Sequence, residues 1–246
     1  MKLYTLGTSH GAAEKDRSCS GSLLEANGSY YLFDCGADIE SKLMNMDIDP
    51  ADIRAIFISH MHADHVGSLV GMTKRFAHQY NKKATTARVF LPEPEAIAPY
   101  LAWLEAMHFW LDNIDRFDMQ GFESGTIYSD ETVKVTAIKT KHVMGGKYPS
   151  FAFLVESADK RFLYTGDLAC DFSDYPEITF EKDFDLILSE LVHFNIEKNL
   201  DTIKKSRTKK MVFTHTSPKK AKEMESIADK LPFPVSVAND GDCFEF

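Results

Sequence analysis

The amino-acid sequence predicts an α/β fold in which two mixed β-sheets pack face to face between outer helices, giving a four-layer αββα sandwich. Both halves of the sequence contain several short β-like segments, and helical patterns separate the later ones. The chain has 246 residues, 44% of them hydrophobic, which is enough to bury a substantial core. We expect a single domain over residues 1–246, with a helical, aromatic-rich insertion at about 92–125.

The first third of the sequence alternates β-like segments with turns. Asn27-Gly28 lies between two apolar runs, a pattern typical of a type I′ hairpin, so residues 22–26 and 30–33 are predicted to pair. The apolar run within residues 53–59 predicts a strand that is buried on both faces. The remaining predicted elements are strands at 2–6 and 89–91 and helices at 38–46 and 66–80.

Residues 85–125 differ from their surroundings in their prolines and aromatic side chains. Ile97, Leu101 and Leu104 recur at helical spacing, which predicts a helix over 97–110. A helix that faces the core is the favoured interpretation. The alternative is a helix that lines or covers a pocket, because pockets are commonly apolar and aromatic.

The second half returns to β-like segments separated by turns and helices. The strands are predicted from short apolar runs and the helices from apolar residues at helical spacing. The predicted strands are 133–138, 151–156, 161–165, 186–190, 211–214, 235–238 and 244–246, and the predicted helices are 196–205 and 219–231.

Composition narrows the class of partner and the compartment. The formal net charge is −9, and an acidic protein repels polyanions, which argues against a general nucleic-acid binder. Four cysteines without CxxC spacing indicate reduced thiols in a cytoplasmic protein. No stretch reaches the roughly 18 uninterrupted apolar residues of a membrane span, and the first residues lack the apolar core of a signal peptide. We therefore expect a soluble, cytoplasmic protein with no membrane partner.

The densest chemical signal is a cluster of four metal-ligating residues directly after the predicted strand at 53–59. His60, His62, Asp64 and His65 fall within six residues. Imidazole and carboxylate groups suit zinc and related divalent ions. In an extended segment, residues two apart project from the same side, so His60 and His62 can hold one ion while Asp64 and His65 face another. A surface histidine cluster is the alternative, and it is disfavoured beside an apolar strand.

Three further candidates follow predicted strands later in the sequence. His142 follows the strand at 133–138, Asp167 follows that at 161–165, and His215 follows that at 211–214. A single histidine after a strand is a weak signal by itself. Together with the first cluster, these residues supply five histidines and two aspartates, enough for two ions that share a bridging carboxylate.

The HxHxDH motif, the later histidine, the Gly-Asp pair and the late Thr-His pair resemble the metallo-β-lactamase superfamily of hydrolases. Phe33-Asp34-Cys35-Gly36 is similar to the superfamily's segment ahead of the metal loop, and Gly7-Thr8-Ser9 to its first turn. The resemblance implies one ion held by His60, His62 and His142, a second held by Asp64, His65 and His215, and Asp167 bridging them. It also implies that Asp34 orients the histidine loop by hydrogen bonds.

Within the superfamily, Gly7-Thr8-Ser9 and Ser20-Gly21-Ser22 resemble the tRNA 3′-processing nucleases and the phosphonate-pathway cyclic phosphodiesterases. In those phosphodiesterases an acidic residue and a histidine three positions later occupy the strand end that corresponds to Glu190 and His193. The resemblance implies that His193 donates a proton to the leaving group or hydrogen-bonds a phosphoryl oxygen. The alternative is that His193 merely caps the strand end.

The sequence also departs from both branches. The tRNA nucleases carry a Gly/Pro-rich arm, and we find no such arm in this sequence. Because the net charge is also negative, we expect that tRNA is not a partner. The phosphonate enzymes carry a cysteine-rich zinc site near the N-terminus, where this sequence has only Cys19. The exact substrate therefore does not transfer from either branch.

The leading hypothesis is a binuclear metal-dependent hydrolase that acts as a phosphodiesterase on a small or nucleotide-like phosphodiester. Two metals roughly 3.5–4 Å apart can hold a bridging hydroxide as nucleophile, with Asp64, Glu190 and His193 as the catalytic side chains. The alternative is hydrolysis of a lactone, thioester or other carboxylic ester at the same site, and a non-hydrolytic metal-binding or redox module is less favoured. The expected cofactors are two divalent ions, with zinc favoured over manganese or iron. A homodimer is left open.

Overall fold

Two mixed β-sheets form the centre of the fold in a computed structural model, which describes residues 1–12, 14–77, 87–109 and 117–246. The strands of the described ranges are, in chain order, β1 (Lys2–Gly7), β2 (Gly21–Ala26), β3 (Ser29–Phe33), β4 (Ile53–Phe57), β5 (Ala87–Leu91), β6 (Phe117–Gly121), β7 (Gly125–Ser129), β8 (Lys134–Lys139), β9 (Phe151–Ser157), β10 (Lys160–Tyr164), β11 (Leu186–Glu190), β12 (Met211–Thr214), β13 (Val235–Val237) and β14 (Cys243–Glu245).

Helices connect many of these strands. The α-helices of the described residues are α1 (Ile39–Asn45), α2 (Ala63–Val66), α3 (Leu69–Ala77), α4 (Ile97–Ala106), α5 (Ile178–Glu181), α6 (Ile196–Ile203) and α7 (Pro218–Glu225). Short 3-10 turns lie at Pro50–Asp52, Pro94–Ala96, Val143–Gly146 and Ala228–Lys230.

Each sheet contains seven strands from the described ranges. The first sheet has the order β14-β1-β2-β3-β4-β5-β6 and the second β13-β12-β11-β10-β9-β8-β7. Strands β3 to β6 are parallel neighbours in the first sheet, as are β10 to β13 in the second, and the other pairs are antiparallel. The two mixed sheets with their helices confirm the predicted α/β sandwich.

The core lies in three layers that follow this architecture. The central cluster joins the inner faces of the two sheets and includes Phe33, Phe57 and Phe153, all fully buried. One outer cluster places α1 and α3 against the first sheet, and the other places α6 and α7 against the second. In β4, Phe57 faces the central cluster while Ile56 faces the outer one, as expected of a parallel strand covered on both faces.

The predicted hairpin is confirmed in its register and its turn. Strands β2 and β3 pair antiparallel, with Ala26 opposite Ser29. Asn27 has φ 49° and Gly28 has φ 76°, and a type I′ turn requires positive φ at both central positions.

Two predictions in the middle of the chain differ from the structure. The region expected to be a helical insertion at about 92–125 also contains β6, which is the edge strand of the first sheet. The helix predicted over 97–110 ends at Ala106, with Trp110 outside the described residues. Within it only Leu104 is buried, whereas Trp103 is 58% exposed. The apolar residues of this helix therefore contact the core mainly at Leu104 and not along the whole helix.

The helix predicted over 66–80 also differs. It begins earlier, at Ala63, and is divided into α2 and α3 near Gly67, while residues 78–80 lie outside the described ranges. The single-domain prediction for residues 1–246 stays a prediction. Within the described residues, no helix combines the length and the apolar character needed to cross a bilayer.

Candidate metal centre

Strand ends deliver the predicted ligands to one edge of the sandwich. In the first sheet β3 and β4 run parallel. In the second sheet β8 and β10 run in the same direction because both are antiparallel to β9, and β12 is parallel to them through β11. Ligand candidates far apart in sequence therefore follow the carboxyl ends of these strands and meet, namely His60, His142, Asp167 and His215.

The first group of ligand atoms belongs to His60, His62 and His142. Their ring nitrogens lie within 4.8 Å of one another. His60 Nε2 is 2.9 Å from His62 Nδ1, which is 3.4 Å from His142 Nε2. His60 is buried and His62 is exposed, so this group opens toward solvent on one side. Three imidazoles in this arrangement match the donor set of a zinc-type ion.

The second group belongs to Asp64, His65 and His215, again with ligand atoms within 4.8 Å of one another. His65 Nε2 is 3.3 Å from Asp64 Oδ2, and His215 Nε2 is 3.9 Å from the same oxygen. Asp64 lies in the first turn of α2, so the HxHxDH segment changes from extended chain to helix between the two groups. That change directs its two pairs of ligands toward different positions.

Asp167 lies between the two groups. Its Oδ2 is 3.4 Å from both His65 Nε2 and His215 Nε2, and 3.6 Å and 3.7 Å from His142 Nε2 and His60 Nε2. One carboxylate oxygen therefore faces histidines from both groups. This is the position that the sequence analysis gives to a bridging ligand.

Two buried polar atoms in this cluster have no hydrogen-bond partner among the described residues: His65 Nε2 and Asp167 Oδ1. A buried polar atom without a partner is costly, and a bound ion is one of its standard explanations. Both atoms belong to residues with the donor types that divalent metals prefer. The residues present therefore fit a centre for divalent cations.

The protonation equilibria of three of these ligands, His60, His142 and Asp167, also suit a cation. Burial, reinforced by the charge of His65, lowers the pKa of His60 well below its ordinary value, and burial also lowers that of His142. Burial by itself would raise the pKa of Asp167, yet the charges of His215 and His65 hold it well below its usual range. Neutral imidazoles and an ionised carboxylate are the forms that bind metal ions.

Asp34 is not among the assigned ligands, but it holds the ligand His65 and the neighbouring Ser59 by hydrogen bonds. It is fully buried, and its carboxylate accepts hydrogen bonds from the Ser59 amide at 2.7 Å and the Ser59 hydroxyl at 2.8 Å. Its Oδ2 also lies 2.7 Å from His65 Nδ1 and accepts from the Tyr164 hydroxyl at 2.6 Å. A carboxylate at Nδ1 fixes the tautomer of His65 that presents Nε2 to a metal. Burial disfavours the charged form of His65, but Asp167 and Asp34 together raise its pKa well above the ordinary value.

His193 and Glu190 lie beside the second sheet's ligands. His193 Nδ1 is 3.1 Å from Glu190 Oε1 and 3.7 Å from Asp167 Oδ2. The buried Glu190 carboxylate also accepts the backbone amides of Val192, at 2.7 Å, and His193, at 3.0 Å. Burial opposes the charged form of His193, but the hydrogen bond to Glu190 raises its pKa. The predicted pair therefore lies next to the metal ligands, with the imidazole held by its carboxylate.

Some residues of the site carried no interpretable signal in the sequence. Ser20 Oγ lies 2.9 Å from His215 Nδ1 and so orients that ring, whereas the sequence identified Ser20 only as part of a family-like segment. Tyr164 and Ser59 support Asp34. Serine and tyrosine are common in strands and turns, so only the folded contacts distinguish these residues.

Gly36 offers a test of how closely the metal loop must pack. A methyl group there would overlap the carbonyl oxygen of Asp64 and lie 2.7 Å from Cys19 Cβ. We expect Gly36→Ala to displace the backbone at Asp64, lowering the stability of the fold by about 1–3 kcal/mol, the usual cost of overpacking, and weakening metal binding. Thermal unfolding and metal titration measure the two effects.

Gly28→Ala is the matched control for this variant. An added methyl there meets no atom within 4 Å, although φ is +76°, so the variant carries backbone strain of about 1 kcal/mol far from the ligands. Metal affinity equal in both variants would contradict the role of the close contact at Gly36.

The chain is similar to known proteins in sequence and in fold. Residues 1–233 match the family model described as "Anti-Pycsar protein Apyc1". Ribonuclease Z of Methanocaldococcus jannaschii is 28% identical over 160 residues, which is 65% of this chain and 49% of that protein. The chain thus matches about half the length of this curated relative.

Solved structures share the fold over their full lengths. YhfI of Bacillus subtilis, a metallo-β-lactamase fold protein, has a TM-score of 0.78 at 19% identity and covers 99% of both chains. The short form of human tRNase Z has a TM-score of 0.77 at 21% identity, covering 100% of this chain and 99% of its own. These likenesses confirm the predicted metallo-β-lactamase fold.

The expectation that tRNA is not a partner is wrong. It rested on the net charge and on the missing Gly/Pro-rich arm, whereas the relatives include a ribonuclease Z and a human tRNase Z. Net charge is an average over the whole surface, while the attraction of a polyanion to a cleft follows the local field. Bound cations would dominate that field at this centre.

Proposed function

The chain belongs to the family of the anti-Pycsar protein Apyc1, and we propose that it acts as a metal-dependent phosphodiester hydrolase. The observation that carries this proposal is the cluster of seven metal-ligating side chains with a carboxylate-bound histidine, His193, next to Asp167. The proposed substrate is a small or nucleotide-like phosphodiester, and the proposed location is the cytoplasm, supported by the absence of disulfides among the four cysteines.

We assign one divalent ion to His60, His62 and His142 and a second to Asp64, His65 and His215, with Asp167 shared between them. Zinc is the first candidate, and manganese and iron are the alternatives, since imidazole and carboxylate ligands accept all three. When bound, such ions supply an activated water at neutral pH and neutralise charge that builds up on a phosphoryl group.

The chain's own residues have distinct tasks around that chemistry. Asp64, at the start of α2, would orient the attacking water as well as hold an ion. Glu190 binds Nδ1 of His193, which leaves Nε2 as the other proton-bearing nitrogen of the ring. The hydrogen bond to Glu190 raises the pKa of His193 and so favours its protonated form, which is the form that can donate a proton to the leaving alkoxide.

Phosphodiester hydrolysis has a use for the proton donor His193, whereas thioester cleavage and a non-hydrolytic module do not. An alkoxide leaving group requires a proton, and the Glu190–His193 pair supplies one at the edge of the ligand cluster. Thioester cleavage gains little from such a donor, because a thiolate leaves without a proton. Lactone cleavage also releases an alkoxide, so its turnover is measured beside that of the phosphodiesters. A non-hydrolytic metal or redox module would have no use for a proton donor at all.

The direct test compares turnover of bis(p-nitrophenyl) phosphate, a cyclic nucleotide, a precursor tRNA, a lactone and a thioester by protein whose metal content has been counted. The protein is then stripped and reloaded with zinc or manganese. Phosphodiester cleavage that requires the ions and disappears in His62→Ala supports the proposal. Turnover of only the lactone or thioester would sink it, while cleavage of the tRNA alone would restrict the substrate to nucleic acid.

His193→Ala separates the proton donor from the metal site. We expect at least a ~10-fold loss of turnover of a cyclic nucleotide, whose alkoxide leaving group needs a proton, since general-acid catalysis contributes about 100- to 10,000-fold. Metal content should be unchanged because His193 is not assigned to an ion. The control is His108→Asn, since His108 is exposed and its φ of 54° suits asparagine. An unaltered rate in His193→Ala would remove the proposed donor.

A further inference from the structure

The carboxylate of Asp240 lies in the segment between β13 and β14, beyond residue 233, where the match to the family model ends. Its side chain is 6% exposed. Four donors surround it within 3.0 Å: the Thr8 amide at 3.0 Å, the Thr8 hydroxyl at 2.8 Å, the Ser18 amide at 2.7 Å and the Lys42 ammonium at 3.0 Å. A buried carboxylate with this many hydrogen-bond partners makes the structure around it rigid.

Asp240 thereby holds both ends of the first loop. Thr8 follows β1, and Ser18 lies two residues before Ser20, whose hydroxyl is 2.9 Å from His215 Nδ1. The hydrogen bond at Nδ1 sets the orientation of the His215 ring and leaves Nε2 facing Asp64 and Asp167. The position of Ser20, and with it the direction of His215, therefore depends on the carboxylate.

A second path reaches the backbone of His215 from the same loop. The Arg17 guanidinium donates to the Thr8 hydroxyl at 2.9 Å, the Thr8 carbonyl at 2.7 Å and the Thr216 carbonyl at 2.5 Å. The Thr216 amide donates to the Thr8 carbonyl at 3.1 Å. His215 itself has φ 46°, a left-handed conformation that persists only where its surroundings impose it.

The other group of ligands is held by different contacts. His142 Nδ1 is 3.2 Å from the Leu168 carbonyl, and His60 Nδ1 is 3.0 Å from the Ser59 hydroxyl. None of the hydrogen bonds of Asp240 in the described part of the chain reaches these residues. A change at Asp240 should therefore affect the two ions unequally.

We propose that Asp240 is a positioning residue for the ion held by Asp64, His65 and His215. It acts through Thr8, Ser18 and Ser20, and it does not touch the ion or the substrate. This inference rests on the two-ion centre of the proposed function. It adds a residue that no ligand motif contains and that lies far from the motifs in sequence.

Asp240→Asn is the test, because it keeps the shape of the side chain and turns one acceptor oxygen into an amino group. That group would oppose either the Thr8 donors or the Ser18 and Lys42 donors. In Asp240→Asn we expect a fall of about 10-fold or more in affinity for the ion assigned to Asp64, His65 and His215, which is identified as the ion that His215→Ala no longer binds. This is the lower range for residues that hydrogen-bond metal ligands. The affinity of Asp240→Asn for the other ion, which is the one that His62→Ala no longer binds, should stay unchanged. Chelator competition with zinc and the visible spectrum of the cobalt-loaded protein report each ion without an activity assay.

Asp242→Asn is the matched control, since within the described residues the carboxylate of Asp242 accepts a hydrogen bond only from the Asn239 amide. Thr8→Val is the second variant and removes the hydroxyl that donates to Asp240 and accepts from Arg17, so it weakens both paths to the same ion. Selective weakening in Asp240→Asn and Thr8→Val supports the inference. Unchanged affinity, or equal weakening of both ions, overturns it.

The failure of the proposed function is a separate result. Wild-type protein that binds two ions but cleaves no phosphodiester contradicts the proposed reaction and leaves the affinity comparison intact. Wild-type protein that binds no ion through His215 overturns the inference together with the two-ion centre.

Discussion

Asp167→Asn is expected to lower phosphodiester turnover by about 1,000-fold or more and to reduce the number of tightly bound ions. Asp167 Oδ2 lies within 3.7 Å of ligand nitrogens from both groups, so removing its charge affects both ions. Losing roughly 4 kcal/mol of charge stabilisation corresponds to that factor. Metal analysis after dialysis and turnover by reloaded protein are the two measurements.

Asp171→Asn is the matched control for this prediction. Asp171 lies four residues further along the same loop, is exposed, and accepts the Ser173 amide, a bond that an asparagine oxygen preserves. Its turnover and metal content should equal those of the wild type. An Asp167→Asn protein with two tight ions and near-normal turnover would contradict the bridging assignment.

Asp34→Asn is expected to have the next largest effect, on metal affinity and on stability together. The φ of Asp34 is 59°, which asparagine tolerates, so the backbone is kept. In the variant an amino group faces donors that now contact Oδ2, from Ser59, His65 and Tyr164. Without an acceptor at Nδ1, His65 no longer favours the tautomer with a free Nε2.

We expect metal affinity in Asp34→Asn to fall by about 10- to 100-fold and the free energy of unfolding of the metal-free protein to fall by about 1–3 kcal/mol. Tyr164→Phe is the matched control, because it removes one hydrogen bond to Asp34 and leaves the contact with His65. That variant should lose about 1 kcal/mol of stability while keeping its metal affinity. Equal metal affinity in Asp34→Asn and the wild type would show that the tautomer of His65 is set elsewhere.

The strands at the centre of the second sheet were predictable because they are short, mainly apolar and buried along their length. The predicted strands at 186–190 and 211–214 coincide with β11 and β12. The HxHxDH spacing identifies its four residues without reference to the fold, since so many ligands within six positions are rare. The structure then brings these four together with three more from distant strand ends.

The edge strand β6, the burial of helix α4 and the hydrogen bonds that hold the ligands were harder to predict, for physical reasons. Strand β6 has the sequence FDMQG, with buried Phe117 as its main apolar contribution, because an edge strand needs fewer apolar residues than a central one. Only Leu104 is buried in α4, the helix that also carries the exposed Trp103. The helical spacing of its apolar residues therefore overstated how much of this helix contacts the core. The contact between Thr8 and Asp240 spans 232 positions, and no local pattern encodes a pairing at that distance.

The pairing of β14 with β1 has a consequence for the order in which the protein is built. Strand β1 leaves the ribosome long before β14, so Tyr4 and Leu3 find their partners, Cys243 and Phe244, only after more than two hundred further residues have followed. Domains generally fold as synthesis proceeds, at about 5–20 residues per second. The His215 side of the centre therefore gains its final support only after Asp240 has emerged. The ligands His60, His62 and His142 all leave the ribosome before that support exists.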